Sequence, residues 1–160
     1  MFRIGIFPVL IALLCFSPLT FVSAAESDGW QALQRGDYDL AEKVWLPRAQ
    51  RGEVEAQLFL GHLETMRERY GAAAIWYQRA AAKGNATAQA LLASQYLIGQ
   101  GVDVDPVRAF AWYELAATQG HANSVRAREA KARQMPAEEI EAASRLVEDW
   151  MREGAPTELE

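Results

Sequence analysis

Cysteine is all but missing from this sequence. The single one, Cys15, lies in an apolar leader, follows the bulky pair Leu13-Leu14, and has apolar chain continuing beyond it, so it does not suit a lipoprotein cleavage site. Past residue 25 there is none, which excludes disulfide staples and thiol catalysis from the rest of the chain. Histidine is nearly as scarce. His62 and His121 stand far apart, and neither has a second histidine or a cysteine at metal-ligand spacing. Both read as surface or hydrogen-bonded side chains.

Nucleophile motifs are missing too. Ser27, Ser94, Ser124 and Ser144 lie outside any Ser-x-x-Lys or Gly-x-Ser-x-Gly pattern. Gly99-Gln100-Gly101 lacks the third glycine and the preceding strand of a dinucleotide site, so no cofactor is expected. Period-two alternation is absent, which argues against strands. There is no excess of positive charge either: 16 Lys and Arg face 21 Asp and Glu. Loss of Arg3 with the leader would leave 15 against 21, or about −6. A nucleic-acid partner is therefore not expected.

What is present begins with the leader. Met1 to Ala25 reads as a secretory signal, with Arg3 as its positive region, Ile4 to Phe16 as its apolar region, and small residues suited to cleavage after Ala24 or Ala25. An uncleaved anchor is the competing reading, and the only route by which this chain would touch a membrane. Pro8 and Pro18 interrupt the apolar run and count against it. The expected location is periplasmic or secreted.

The remainder repeats. Tyr38, Ala41, Trp45, Ala49, Gly52, Ala56 and Gln57 recur 32 residues later as Tyr70, Ala73, Tyr77, Ala81, Gly84, Ala88 and Gln89. A further step of 36 maps Ala73, Trp76, Tyr77, Ala81, Gly84 and Ala88 onto Ala109, Trp112, Tyr113, Ala117, Gly120 and Ser124. Within a unit the spacing is helical: Ala109, Trp112, Tyr113, Ala116 and Ala117 share one face. Aromatic pairs in register with alanines are packing surfaces between repeats rather than a ligand box.

Gly36, Gly52, Gly84 and Gly120 each end such a pattern and suit left-handed helix termini. The pattern predicts helices at roughly 28–35, 38–51, 54–67, 70–83, 86–98, 106–119, 122–134 and 137–152, paired as about four antiparallel hairpins. In the connection from Gly99 to Asp105, Val102 should plug the hairpin end and Asp105 should cap the next helix, with Pro106 at its first position. Ile140, Ala143, Leu146, Val147, Trp150 and Met151 form the apolar face of a capping helix. The domain is thus expected over 26–153, with the best repeat at 88–124, the cap at 137–152, and a flexible tail at 154–160.

Charged clusters have structural readings. Glu53/Glu55 and Glu138/Glu139 sit where helices begin and complement the dipole. Arg126, Arg128, Lys131 and Arg133 read as a solvated face paired with Glu129 and the acidic last helix.

The unit from Ala88 to Ser124 resembles the Sel-one-like repeat family (SLR), relatives of tetratricopeptide repeats. Ala88, Leu92, Tyr96, Gly99, Gly101, Val102, Asp105, Ala109, Trp112, Tyr113, Ala116, Ala117 and Gly120 stand where that family's pattern expects them. The stretch from Tyr38 to Lys83 is similar but degenerate, with Glu64 in the tyrosine position and no glycine-valine loop. The resemblance implies an all-α solenoid whose first helices line a concave groove, and a role as an adaptor or regulator that binds proteins. Transferred to this chain, the groove positions are Glu55, Leu58, His62 and Thr65, then Thr87, Ala90, Ser94 and Leu97, then Asn123 and Arg126. The expected function is an exported, non-enzymatic module holding a peptide or helix of an envelope partner. The alternatives are a self-associating structural repeat protein and, less favoured, an envelope hydrolase.

Overall fold

The computed structural model describes residues 24–159. The expected signal segment up to residue 23 lies outside the described residues. Eight helices follow one another: α1 (Ala24–Gln34), α2 (Tyr38–Gln50), α3 (Val54–Met66), α4 (Tyr70–Ala82), α5 (Ala86–Ile98), α6 (Pro106–Thr118), α7 (Ala122–Ala132) and α8 (Ala137–Glu153). Among the described residues there is no strand, and no helix is long and apolar enough to cross a membrane.

The turns are made as the glycines require. Gly36, Gly52, Gly84 and Gly120 all have positive φ. Asp105 accepts the Arg108 N–H at 2.9 Å with Pro106 opening α6, and Asn85 caps α5 through Ala88 N–H at 2.8 Å. Gly101 does more than turn. A Cβ there would stand 2.3 Å from the carbonyl carbon of Tyr70, because the α5–α6 loop lies directly on the start of α4. Val102 plugs the hairpin by packing against the central core. The shorter α3–α4 turn has no glycine at its left-handed position, and Glu68 takes φ 58 instead.

Within a hairpin, an aromatic residue of the second helix presses on a small residue of the first. Trp45 lies on Gly29 and Tyr77 on Gly61. Tyr113 and Ala93 stand at the corresponding positions one unit later, and both are buried. Trp45, Tyr77 and Trp112 are the large rings of the core, each no more than 2% exposed. Between hairpins, Gln57 and Gln89 each reach back to the last turn of the preceding helix, donating to Ala49 and Ala81 carbonyls at 3.1 Å. These bonds satisfy carbonyls that a helix end leaves without an intrahelical partner.

The sequence places α7 and α8 in a fourth hairpin, and here the structure differs. The main packing of α8 is along α6, not α7. The cause is composition: α7 (ANSVRAREAKA) offers Val125 as its one large apolar side chain. α6 offers Val107, Phe110, Ala111 and Leu115, on which Ile140, Ala143, Leu146 and Val147 settle. Trp150 stacks on Trp112 with ring centroids 4.3 Å apart. Met151, expected on the same apolar face, is exposed.

The chain past α8, expected as a frayed tail, runs over the molecule in this structure. Ala155 and Leu159 pack against the central core, and Gln78 donates to the Pro156 carbonyl.

Candidate functional site

The first helices of the hairpins, α3, α5 and α7, carry the expected groove positions in matching register. Two tyrosines from the second helices reach up between them. Tyr77 hydroxyl lies 3.1 Å from Thr65 Oγ1 and 3.2 Å from His62 Nδ1, while Thr65 donates to the Gly61 carbonyl at 2.9 Å. Three hydrogen bonds need three protons. Thr65 uses its own on Gly61, so Tyr77 donates to Thr65 and His62 must donate from Nδ1 to Tyr77. The neutral His62 ring then carries a bare Nε2. Burial pushes its pKa below the ordinary histidine value and favours this neutral form. The Tyr77 phenol is raised by burial, with the Thr65 hydrogen bond opposing.

One unit later the roles are simpler. Ser94 takes the place of His62, and Leu97 that of Thr65. Burial again raises the pKa of the tyrosine, Tyr113, with the adjacent Ser94 hydroxyl opposing. Leu97 packs against the central core, as Leu58 and Ala90 do. His62, Thr65, Ser94, Leu58 and Leu97 are therefore engaged within the fold. Glu55, Thr87, Asn123 and Arg126 are exposed.

Three expected positions, Thr87, Ala90 and Asn123, converge on one pocket of about 280 Å³ between α5 and α7. Its remaining walls are Leu91, Tyr113, His121 and Ala127. Glu55, Leu58, His62, Thr65, Ser94, Leu97 and Arg126 do not line it. His121 caps α7: its Nδ1 accepts the Ser124 N–H at 3.3 Å, so the neutral ring carries its proton on Nε2. The two histidines are thus opposite tautomers, one with a bare outer nitrogen and one with an outer N–H.

The four unpredicted walls were missed for identifiable reasons. Tyr113 was read as core, which it also is. His121, an isolated histidine without a metal-ligand partner, reads by sequence as a surface or hydrogen-bonded side chain. Leu91 and Ala127 belong to a register column next to the one transferred: Phe59, Leu91 and Ala127 are equivalent positions at steps of 32 and 36. A second, larger opening of about 490 Å³ lies where Leu159 approaches the loop residues Gly99, Gly101, Val102 and Asp103. Among the described residues no group of three or more His, Cys, Asp or Glu could hold a metal ion.

Aromatic rings seated on small residues, glycine-ended helices and helix-to-helix stacking define a helical-hairpin repeat protein of the solenoid class. The model of the Sel1 repeat matches at residues 54–85 and again at 86–121. The first match falls on α3 and α4, within the stretch that reads as degenerate by sequence, and the second on the clearest unit. Over residues 54–121 the chain thus carries two repeats of the Sel1 kind. Repeats of this kind generally mediate protein–protein interaction and are typical of non-enzymatic modules.

Among solved structures, the chain is similar to a protective antigen present in uropathogenic Escherichia coli strains, which displays an SLR fold. The two superpose with a TM-score of 0.71 at 26% identity, covering 80% of this chain and 29% of that one. The chain therefore spans less than a third of that protein. No curated protein matches it.

Proposed function

We propose that the chain is an exported adaptor that holds an extended peptide or a helix of an envelope protein against α3, α5 and α7. The observation that carries this reading is the pocket between α5 and α7, lined by Thr87, Ala90 and Asn123 of the expected groove register. The Sel1 repeats supply the general expectation of protein binding. The leader read from Met1 to Ala25 supports export, and the net charge of about −6 (15 against 21) after its removal supports a partner other than nucleic acid.

The test is affinity capture from envelope extract with the chain from Glu26 onward. Ser94 and Leu97 are poor positions to disrupt, because both contribute to internal packing. Thr87→Glu combined with Asn123→Glu changes exposed pocket walls instead. Loss of the captured protein with unchanged helical circular dichroism is the expected result. Equal recovery by the double variant overturns the reading. Export is tested separately by sequencing the mature N-terminus from fractionated cells, which should begin at Ala25 or Glu26.

A further inference from the structure

The pocket between α5 and α7 exists because one repeat position shrinks along the chain. Phe59 fills it in α3, meeting Trp30 edge to face and Trp45 at a tilt, at centroid distances of 4.9 and 5.1 Å. Leu91 fills it in α5 and packs against the central core. In α7 the same position is Ala127, and the space a larger side chain would take is the open pocket of about 280 Å³. The apolar walls Ala90, Leu91 and Ala127 remain, so the missing group is one a partner can supply.

The rim has a sign. α5 carries no charged side chain, so the local field comes from α7. There Arg128 is neutralised by Glu114 at 3.3 Å, whereas exposed Arg126 hydrogen-bonds to the pocket wall Asn123 and has no carboxylate partner among the described residues. His121 lies on the same pocket with its proton on Nε2.

We infer that this pocket is a specificity subsite for a leucine- or phenylalanine-sized side chain of the partner polypeptide, with a carboxylate beside it meeting Arg126. The assignment rests on the groove reading above. The apolar group replaces what Ala127 lacks, and the acidic neighbour supplies the charge that Arg126 is missing.

The test uses acetyl-Asp-Leu-amide, with acetyl-Asp-Ala-amide and acetyl-Asn-Leu-amide as controls, followed by methyl NMR of Ala90 and Ala127. The Asp-Leu probe should give saturable shifts, and both controls should bind at least about tenfold more weakly, the order expected for losing apolar contact or a charge-assisted bond. Ala127→Phe, with Ala127→Leu as the gentler variant, should abolish the remaining Ala90 shift without lowering the melting temperature. Equal binding of all three probes, or shifts that survive both substitutions, overturns the subsite. In envelope capture the readings separate. If Ala127→Phe and Ala127→Leu retain the partner while Thr87→Glu/Asn123→Glu loses it, the subsite fails and the groove stands. If all three variants retain it, the groove reading fails as well.

Discussion

Tyr77 occupies the space that a side chain on residue 61 would need: a Cβ on Gly61 would lie 2.3 Å from Tyr77 Cε1. The glycine is therefore a condition for the ring's position, and the ring in turn holds the hydroxyl that bonds Thr65 and His62. Gly61→Ala should destabilise the protein by about 1–3 kcal/mol, the usual cost of overpacking, even though alanine is the better helix former. Urea unfolding measures it. A stability gain would show that α3 and α4 can move apart freely.

Glu68 is the opposite case. It holds φ 58 without being glycine, at a turn where the other hairpins use glycine. A left-handed L-residue costs about 1–2 kcal/mol, offset in part by the entropy glycine adds to the unfolded chain. Glu68→Gly should raise stability by about 0.5–1 kcal/mol. An unchanged midpoint would mean that this turn relaxes without strain.

The buried ring of His62 predicts a pH dependence. Its folded pKa lies below the ordinary 6.5, so the unfolded chain binds the proton first as pH falls. The contribution to stability is present in full above 6.5 and is lost on descending from there to the folded pKa. Unfolding midpoints measured down through this window should fall for the native chain and fall less for His62→Gln. Parallel curves would place the effect on other groups.

Trp112 is 1% exposed and stacked on Trp150. Trp112→Ala should cost about 3–5 kcal/mol and lower the melting temperature sharply. Ending the chain after Gly154 removes Ala155 and Leu159 from the central core. That change should cost about 1–2 kcal/mol, on the scale of one buried apolar side chain. A melt unaffected by the truncation would show that the tail's contacts carry no stability.

The helices and turns were legible because helical periodicity and left-handed glycines are local signals. Seven of the eight helix starts, from Tyr38 to Ala137, fall where the pattern puts them, while α1, expected from near residue 28, is already helical at Ala24, the first described residue. The course of α8 was not legible. Its own apolar stripe is plain in sequence, but its partner is chosen by comparing α7 with α6, and only the latter presents Phe110 and its neighbours. The candidate site was legible in part for a similar reason. Thr87, Ala90 and Asn123 follow from register alone. Ser94 and Leu97 occupy equally good register positions, yet one sits beside the Tyr113 hydroxyl and the other packs on the core. Ala127 matters through what it lacks relative to Phe59 and Leu91, a difference visible only when neighbouring columns of the repeat are compared.

The major helix contacts run from each helix to the next along the chain, α1 with α2 through to α6 with α7, and α8 reaches back only as far as α6. Assembly therefore does not require the two ends of the chain to find each other. Each hairpin can close on its own and recruit its neighbour, which keeps loop-closure entropy small and folding fast for the chain's size. The same arrangement lets terminal helices open while the centre stays shut. Slow hydrogen exchange should accordingly concentrate in α4, α5 and α6, with α1 the first to lose protection.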